Sequence, residues 1–132
     1  MIPRLFLADS HALVWYWMSP LKLPTNILDL FDGTTTGEVR IVVSHVSLAE
    51  IYFLFRKWGR DQEFLPRLAD LRTHPGFALE PLLLQDIEQL PHFESVPEMH
   101  DRLLVIQAMR LGVPLLTKDR SIQASGAVPW IW

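Results

Sequence analysis

Apolar residues recur along the chain in short continuous runs, and these alternate with longer stretches of helical spacing. Arg4 to Ala8 (RLFLA) is too short for a buried helix and predicts a strand that stops at Asp9-Ser10. His11 to Met18 then predicts an aromatic-rich helix. Pro20 and Pro24 interrupt it; Thr25 to Phe31 predicts a short helix ending near Gly33, and Thr34 to Glu38 reads as polar loop. Arg40 to Ser44 (RIVVS) predicts the second strand. Ser47-Leu48-Ala49-Glu50 has the spacing of a capping box, opening an apolar helix that runs to about Trp58. Ile51, Tyr52, Phe53, Leu54 and Phe55 make that helix apolar all round. Both of its faces then need cover, one from the sheet and the other from a second subunit or a bound partner.

Asp61 to Thr73 predicts a further helix with Phe64, Leu65, Leu68 and Leu71 on one side and Pro66 in its first turns. Phe77 to Leu83 includes a third strand, which Pro81 places at an edge or a strand end. Leu84 to Leu90 reads as a short helix and His92 to Met99 as loop. Met99 to Leu111 has helical spacing again; Gly112 sits where a C-cap is expected, and Pro114 prevents continuation. Val113 to Thr117 predicts the fourth strand, with Asp119 just beyond it. Ser121 to Ser125 ends at Gly126, and Val128 to Trp132 adds a last strand. This alternation predicts a single α/β domain over residues 1–132: a doubly wound, mostly parallel sheet of about five strands, with helices on both faces.

Composition narrows the chemistry. Of 132 residues, 49% are hydrophobic and 20% charged, which favours a packed core over disorder. Seven Phe, five Trp and two Tyr exceed what a small core needs, so some are expected to face a partner. The absence of Cys excludes disulfides, thiolate zinc sites and cysteine nucleophiles. The five His show no ligand spacing, although His11 and His100 lie near acids. No apolar run approaches the roughly 18 residues of a membrane span, and MIPRLFLADS lacks the layout of a signal peptide. A soluble, cytoplasmic setting is therefore expected. A formal charge of −3 argues against nucleic-acid binding through bulk positive field, though not through a local basic rim or bound metal ions.

The first and fourth predicted strands each end at an acid, Asp9 and Asp119. The helix after the second strand carries Glu50, and Asp101 opens a helix on the same edge. One acid at a helix start is a cap. Four, in elements that a parallel sheet aligns at one edge, form a constellation. Gathered carboxylates repel, and at neutral pH either protonation or a cation relieves that. An all-oxygen donor set suits Mg²⁺ or Mn²⁺, ions that typically keep several waters and bind phosphate oxygens. Phosphodiester cleavage by an activated water is the first expectation, with phosphoryl transfer second.

LADSHALVWYW, VSLAEIYFL, HDRLLVIQAMRLGVPLLTKDRSI and VPWIW together resemble, in order and over nearly the whole chain, a PIN domain of the VapC toxin type. The resemblance implies Mg²⁺- or Mn²⁺-dependent RNA cleavage, a homodimer, and inhibition by a cognate VapB-like antitoxin. It implies Asp9, Glu50, Asp101 and Asp119 as the catalytic and metal-binding acids, with Glu98 as an outer-shell ligand. Ser10 replaces the Thr common in the first motif and keeps the hydroxyl; Thr117 matches the hydroxyl residue before the last acid. In the roles assigned here, Asp9, Asp101 and Asp119 hold metal, and Glu50 positions or deprotonates the attacking water. Arg102, Lys118 and Arg120, with Ser10 and Thr117, are candidate substrate contacts, and Arg56, Lys57 and Arg60 could extend an RNA path. A phosphorelay receiver fits less well because Asp9 lacks a neighbouring acid and no Pro follows Lys118. A haloacid dehalogenase-type phosphatase fits less well because position 11 is His rather than Asp. A PIN scaffold that acts only by binding is the remaining alternative.

Overall fold

The computed structural model describes residues 2–132; Met1, which opens the stretch read for a leader peptide, lies outside them. Five parallel strands form one sheet: β1 (Arg4–Ala8), β2 (Val39–Ser44), β3 (Phe77–Glu80), β4 (Leu115–Leu116) and β5 (Trp130–Ile131), in spatial order β3-β2-β1-β4-β5. The intervening helices are α1 (Ser10–Met18), α2 (Thr25–Thr36), α3 (His45–Lys57), α4 (Phe64–Thr73), α5 (Leu84–Glu88), α6 (Met99–Leu111) and α7 (Arg120–Ser125). The chain winds outward from β1 through β2 to β3, then returns to the other side of β1 for β4 and β5. The strand order therefore reverses between β1 and β4, the place where open α/β sheets form their binding crevice.

Alternating side chains of the central strands feed two cores. Phe6, Ala8, Ile41, Val43 and Leu116 face a layer built from α1, α2, α3 and α4, while Leu7, Val42 and Leu115 face α6 and α7. Covered on both sides, the inner strands read as unbroken apolar runs rather than as alternation. α6 brings Leu103, Leu104, Val105, Ile106 and Ala108 into the interior. At about 1.5–3 kcal/mol for each large side chain, that burial outweighs the repulsion felt by an acid carried on the same helix. Gly112 closes α6 in the left-handed conformation, φ 68°, and its N–H bonds the carbonyls of Ala108 and Met109.

Several expectations need correction. α2 does not end near Gly33 but runs on to Thr36, because the Thr34, Thr35 and Thr36 hydroxyls each bond the carbonyl three residues back. Gly33 lies against β2, where an added Cβ would sit 2.8 Å from Val39 Cγ2. The expected capping box is absent. α3 starts earlier, Ser44 caps it by accepting from the Val46 N–H, and Ser47 is buried within the first turn. The fourth strand is only Leu115–Leu116 and the last only Trp130–Ile131. The helix expected over Asp61 to Thr73 divides into a 3-10 turn and α4, in which Leu65 points outward at 70% exposure. Leu84 to Leu90 likewise divides into α5 and a 3-10 turn at Leu90–His92. Phe53 and Trp58, which helical spacing alone would send to the core, are 68% and 46% exposed. No helix among the described residues is long and apolar enough to cross a membrane.

Candidate active site

β1 delivers its acid directly. Asp9 follows the last strand residue, its N–H bonds the carbonyl of Leu116 on β4, and its Oδ1 accepts from the Ala12 N–H to cap α1. Asp119 does the same one strand over, where its Oδ1 accepts from Ile122 N–H and Ser121 Oγ–H to cap α7. Glu50 comes from the second turn of α3 and Asp101 from the first turn of α6. These four acids line one cleft of about 460 Å³ with Ser10, His11, Glu98, Leu104 and Lys118. A cap and a cleft acid are thus the same side chain at Asp9 and at Asp119: each holds a helix start and also lines the cleft.

The electrostatics register the crowding. Asp101 is pushed up to about 7, first by burial and then by the negative charges of Asp119, Glu98, Glu50 and Asp9. Asp9, only 8% exposed, is also raised, chiefly by burial. Hydrogen bonds from Thr117 and Ala12 and the proximity of His11 oppose that rise. Burial would raise Asp119 as well, but bonds from Ser121 and the Ile122 N–H, together with His11, leave it below the usual range. The site therefore holds one readily ionised carboxylate and two reluctant ones.

Ser10 and Glu50 are bonded to each other: the buried Ser10 hydroxyl donates to Glu50 Oε1. Glu50 Oε2 lies 3.9 Å from His100 Nδ1, which is itself 2.6 Å from Glu98 Oε1. That Glu98 contact, outweighing burial, raises the His100 pKa and favours the imidazolium. Sequence reasoning set His100 near an acid but missed this chain of contacts; the Glu98-x-His100 spacing is the signal that carried it.

Several sequence-expected contacts are committed elsewhere. Glu98 is the N-cap of α6, with Oε2 accepting from the Asp101 N–H at 2.8 Å, so it supports the acid beside it. Ser10 and Thr117 are buried, and Thr117 Oγ1 accepts from the Asp119 N–H. Ser10 lines the cleft with its hydroxyl committed to Glu50, and Thr117 supports Asp119. Arg102 donates to the carbonyls of Val96 (2.7 Å) and Leu90 (3.1 Å), tying down the loop before α6. Arg60 pairs with Glu63. Lys118 and Arg120 remain exposed, and Lys118 borders the cleft. A second cleft of about 360 Å³ lies beside α5 and α6, but its Asp86 and Arg110 neutralise each other at 2.7 Å.

Among the described residues, no group of three or more His, Asp or Glu side chains is placed to hold a metal ion. The acids of the cleft nonetheless offer only hard oxygen donors, and Asp101 is raised first by burial and then by its acidic neighbours. This suits an ion that keeps part of its water shell rather than one wrapped by protein.

The strand order and the acid-lined switch point define an α/β domain built on a parallel sheet whose order reverses at the cleft, and comparison with solved structures finds the same fold. The chain is similar to VapBC2 from Rickettsia felis, solved bound to a DNA fragment from its promoter, with TM-score 0.74 at 12% identity, covering 97% of this chain and 98% of that one. It is similar to VapC20 of Mycobacterium tuberculosis, described as a Sarcin-Ricin loop cleaving toxin, with TM-score 0.62 at 13% identity over 92% and 95%. It is also similar to the PIN domain endonuclease Utp24, with TM-score 0.55 at 13% identity over 95% and 78%. No family model and no curated protein matches the chain in sequence. At such identities the likeness establishes the fold.

Proposed function

We propose that the chain is a divalent-cation-dependent endoribonuclease, the VapC-like toxin of a toxin–antitoxin pair. The observation that carries this reading is the meeting of Asp9, Glu50, Asp101 and Asp119, from four separate elements, in one cleft at the switch point of a parallel sheet. The toxin and nuclease descriptions of the solved neighbours support it, as does the nearly full-length coverage.

Asp9, Asp101 and Asp119 would hold Mg²⁺ or Mn²⁺, which supplies charge neutralisation at the scissile phosphate and acidifies a water. Glu50 then accepts the proton of that water. Its Oε1 accepts from Ser10, so Oε2, which lies 3.9 Å from His100 Nδ1, is the oxygen that would take it. The water oxygen bonds to phosphorus as the bond to the leaving ribose oxygen breaks, and that oxygen takes up a proton. Glu98 fixes the start of α6 and hence the place of Asp101. A VapB-like antitoxin, a homodimer and a cytoplasmic setting belong to the same reading.

The experiment is cleavage of a panel of single-stranded and hairpin RNAs with Mg²⁺ or Mn²⁺, with and without EDTA. Cleavage that EDTA abolishes and that Asp101→Asn lacks is expected. RNA bound but never cut by the folded protein, with either metal, would leave only the binding-scaffold alternative.

A further inference from the structure

Two lysines converge on one indole, and one of them, Lys118, also borders the acid cleft. Lys118, between Thr117 and Asp119, places its Nζ 4.4 Å from the centroid of the Trp15 ring. Lys22, in the 3-10 turn after α1, places its Nζ 5.7 Å from the same ring. Trp15 is half-buried on α1, the helix that Asp9 caps, and Trp132 leans on it at 5.9 Å between centroids. Both lysines are exposed, and among the described residues neither stands within 4 Å of a carboxylate.

The indole attracts the ammoniums through its quadrupole but does not neutralise them. What results is a pair of uncompensated positive charges held at a fixed place next to an acidic cleft, in a chain whose net charge is −3. This contrasts with Arg102 and Arg60, whose donors are taken up by carbonyls and by Glu63. An arrangement that draws in a cation at one point and an anion beside it suits a polyanion whose cleaved phosphate lies over the acids.

We infer that Lys22 and Lys118, positioned by Trp15, bind a backbone phosphate of single-stranded RNA next to the one that is cleaved. The inference rests on the ribonuclease reading. Trp15 is a positioning residue here: it holds the Lys118 ammonium over the cleft mouth and touches no reacting atom. Lys118→Arg keeps both a charge and an attraction to the ring, so it is the conservative replacement.

The test is binding of a short fluorescein-labelled single-stranded RNA, followed by anisotropy in EDTA over a series of salt concentrations, so that cleavage does not enter. Lys22→Ala and Lys118→Ala should each weaken binding and flatten the slope of log Kd against log salt, together by about 0.7 for one lost phosphate contact. Lys118→Arg should restore the wild-type slope, and Trp15→Leu should weaken binding although no charge has been removed. Circular dichroism establishes that each variant is folded. Unchanged affinity and slope in the double lysine variant overturn the inference even where metal-dependent cleavage is intact. The expected slopes in a protein that cuts no RNA uphold the subsite and sink the nuclease reading instead.

Discussion

The Ser10 hydroxyl donates to Oε1 of Glu50, joining the first turn of α1 to the second turn of α3 across forty residues of sequence. Because Ser10 is buried, the bond fixes one carboxylate oxygen from the protein side, while the other lies 3.9 Å from His100 Nδ1. Ser10→Ala should therefore leave the fold in place yet lower kcat roughly 10- to 100-fold, the range seen when a group that orients an active-site ligand is lost. Steady-state cleavage of an RNA substrate reads this. Wild-type kcat in a folded Ser10→Ala protein removes Glu50 positioning from the account.

Asp101 makes stability depend on pH in a definite direction. Its folded pKa of about 7 lies above the ordinary value of 3.8, so between those limits the folded state holds the extra proton. Stability is fullest at the acid end of this window and falls as pH rises through it. Asp101→Asn should raise the melting temperature at pH 8, and the gain should vanish near pH 4. Asp101 is only partly buried, so the gain is discounted for solvent screening to about 1–2 kcal/mol. Mg²⁺ or Mn²⁺ should stabilise the wild type at pH 8 and the variant far less. A wild type more stable than the variant at pH 8, without metal, contradicts the repulsion argument.

Arg102 belongs to the scaffold. Its two bonds to the Val96 and Leu90 carbonyls hold the loop from which α6 starts. Arg102→Ala should cost about 2 kcal/mol in urea unfolding and leave the salt slope of RNA binding unaltered. Arg102→Lys should recover little, since one ammonium does not reproduce the guanidinium fork. A variant of normal stability with a flattened slope would return Arg102 to the substrate path.

Asp86 is the other acid that the fold cannot spare. It is buried, accepts from the Leu83 N–H, and takes two bonds from Arg110. Asp86→Ala leaves that guanidinium short of its main partner and should cost about 3 kcal/mol. Its cleavage activity, measured well below the melting temperature, should stay near that of the wild type.

The alternation of apolar runs was enough to read the sheet, because strands covered on both faces have no polar positions to blur them. The acids were legible for a related reason: a parallel sheet brings the ends of β1 and β4 to one edge, so Asp9 and Asp119 meet whatever the intervening chain does. Side-chain partners were not legible. Ser47 and Glu50 have capping-box spacing, yet Ser44, the last residue of β2, takes the cap. Arg102 looks like a phosphate contact beside Asp101, but the two carbonyls it serves lie six and twelve residues away and no local pattern marks them. Phe53 and Leu65 satisfy helical spacing while facing outward, because periodicity defines a face without saying whether anything covers it.

The central claim is that Asp9, Asp101 and Asp119, carboxylates from separate elements, hold a divalent cation beside Glu50. The most direct measurement is a Mn²⁺ titration followed by electron paramagnetic resonance, for the wild type and for Asp9→Asn, Asp101→Asn and Asp119→Asn. Saturable binding by the wild type, weakened at least tenfold in each variant, is the predicted result. Binding that none of the three substitutions changes, or no binding by the folded wild type, would contradict it.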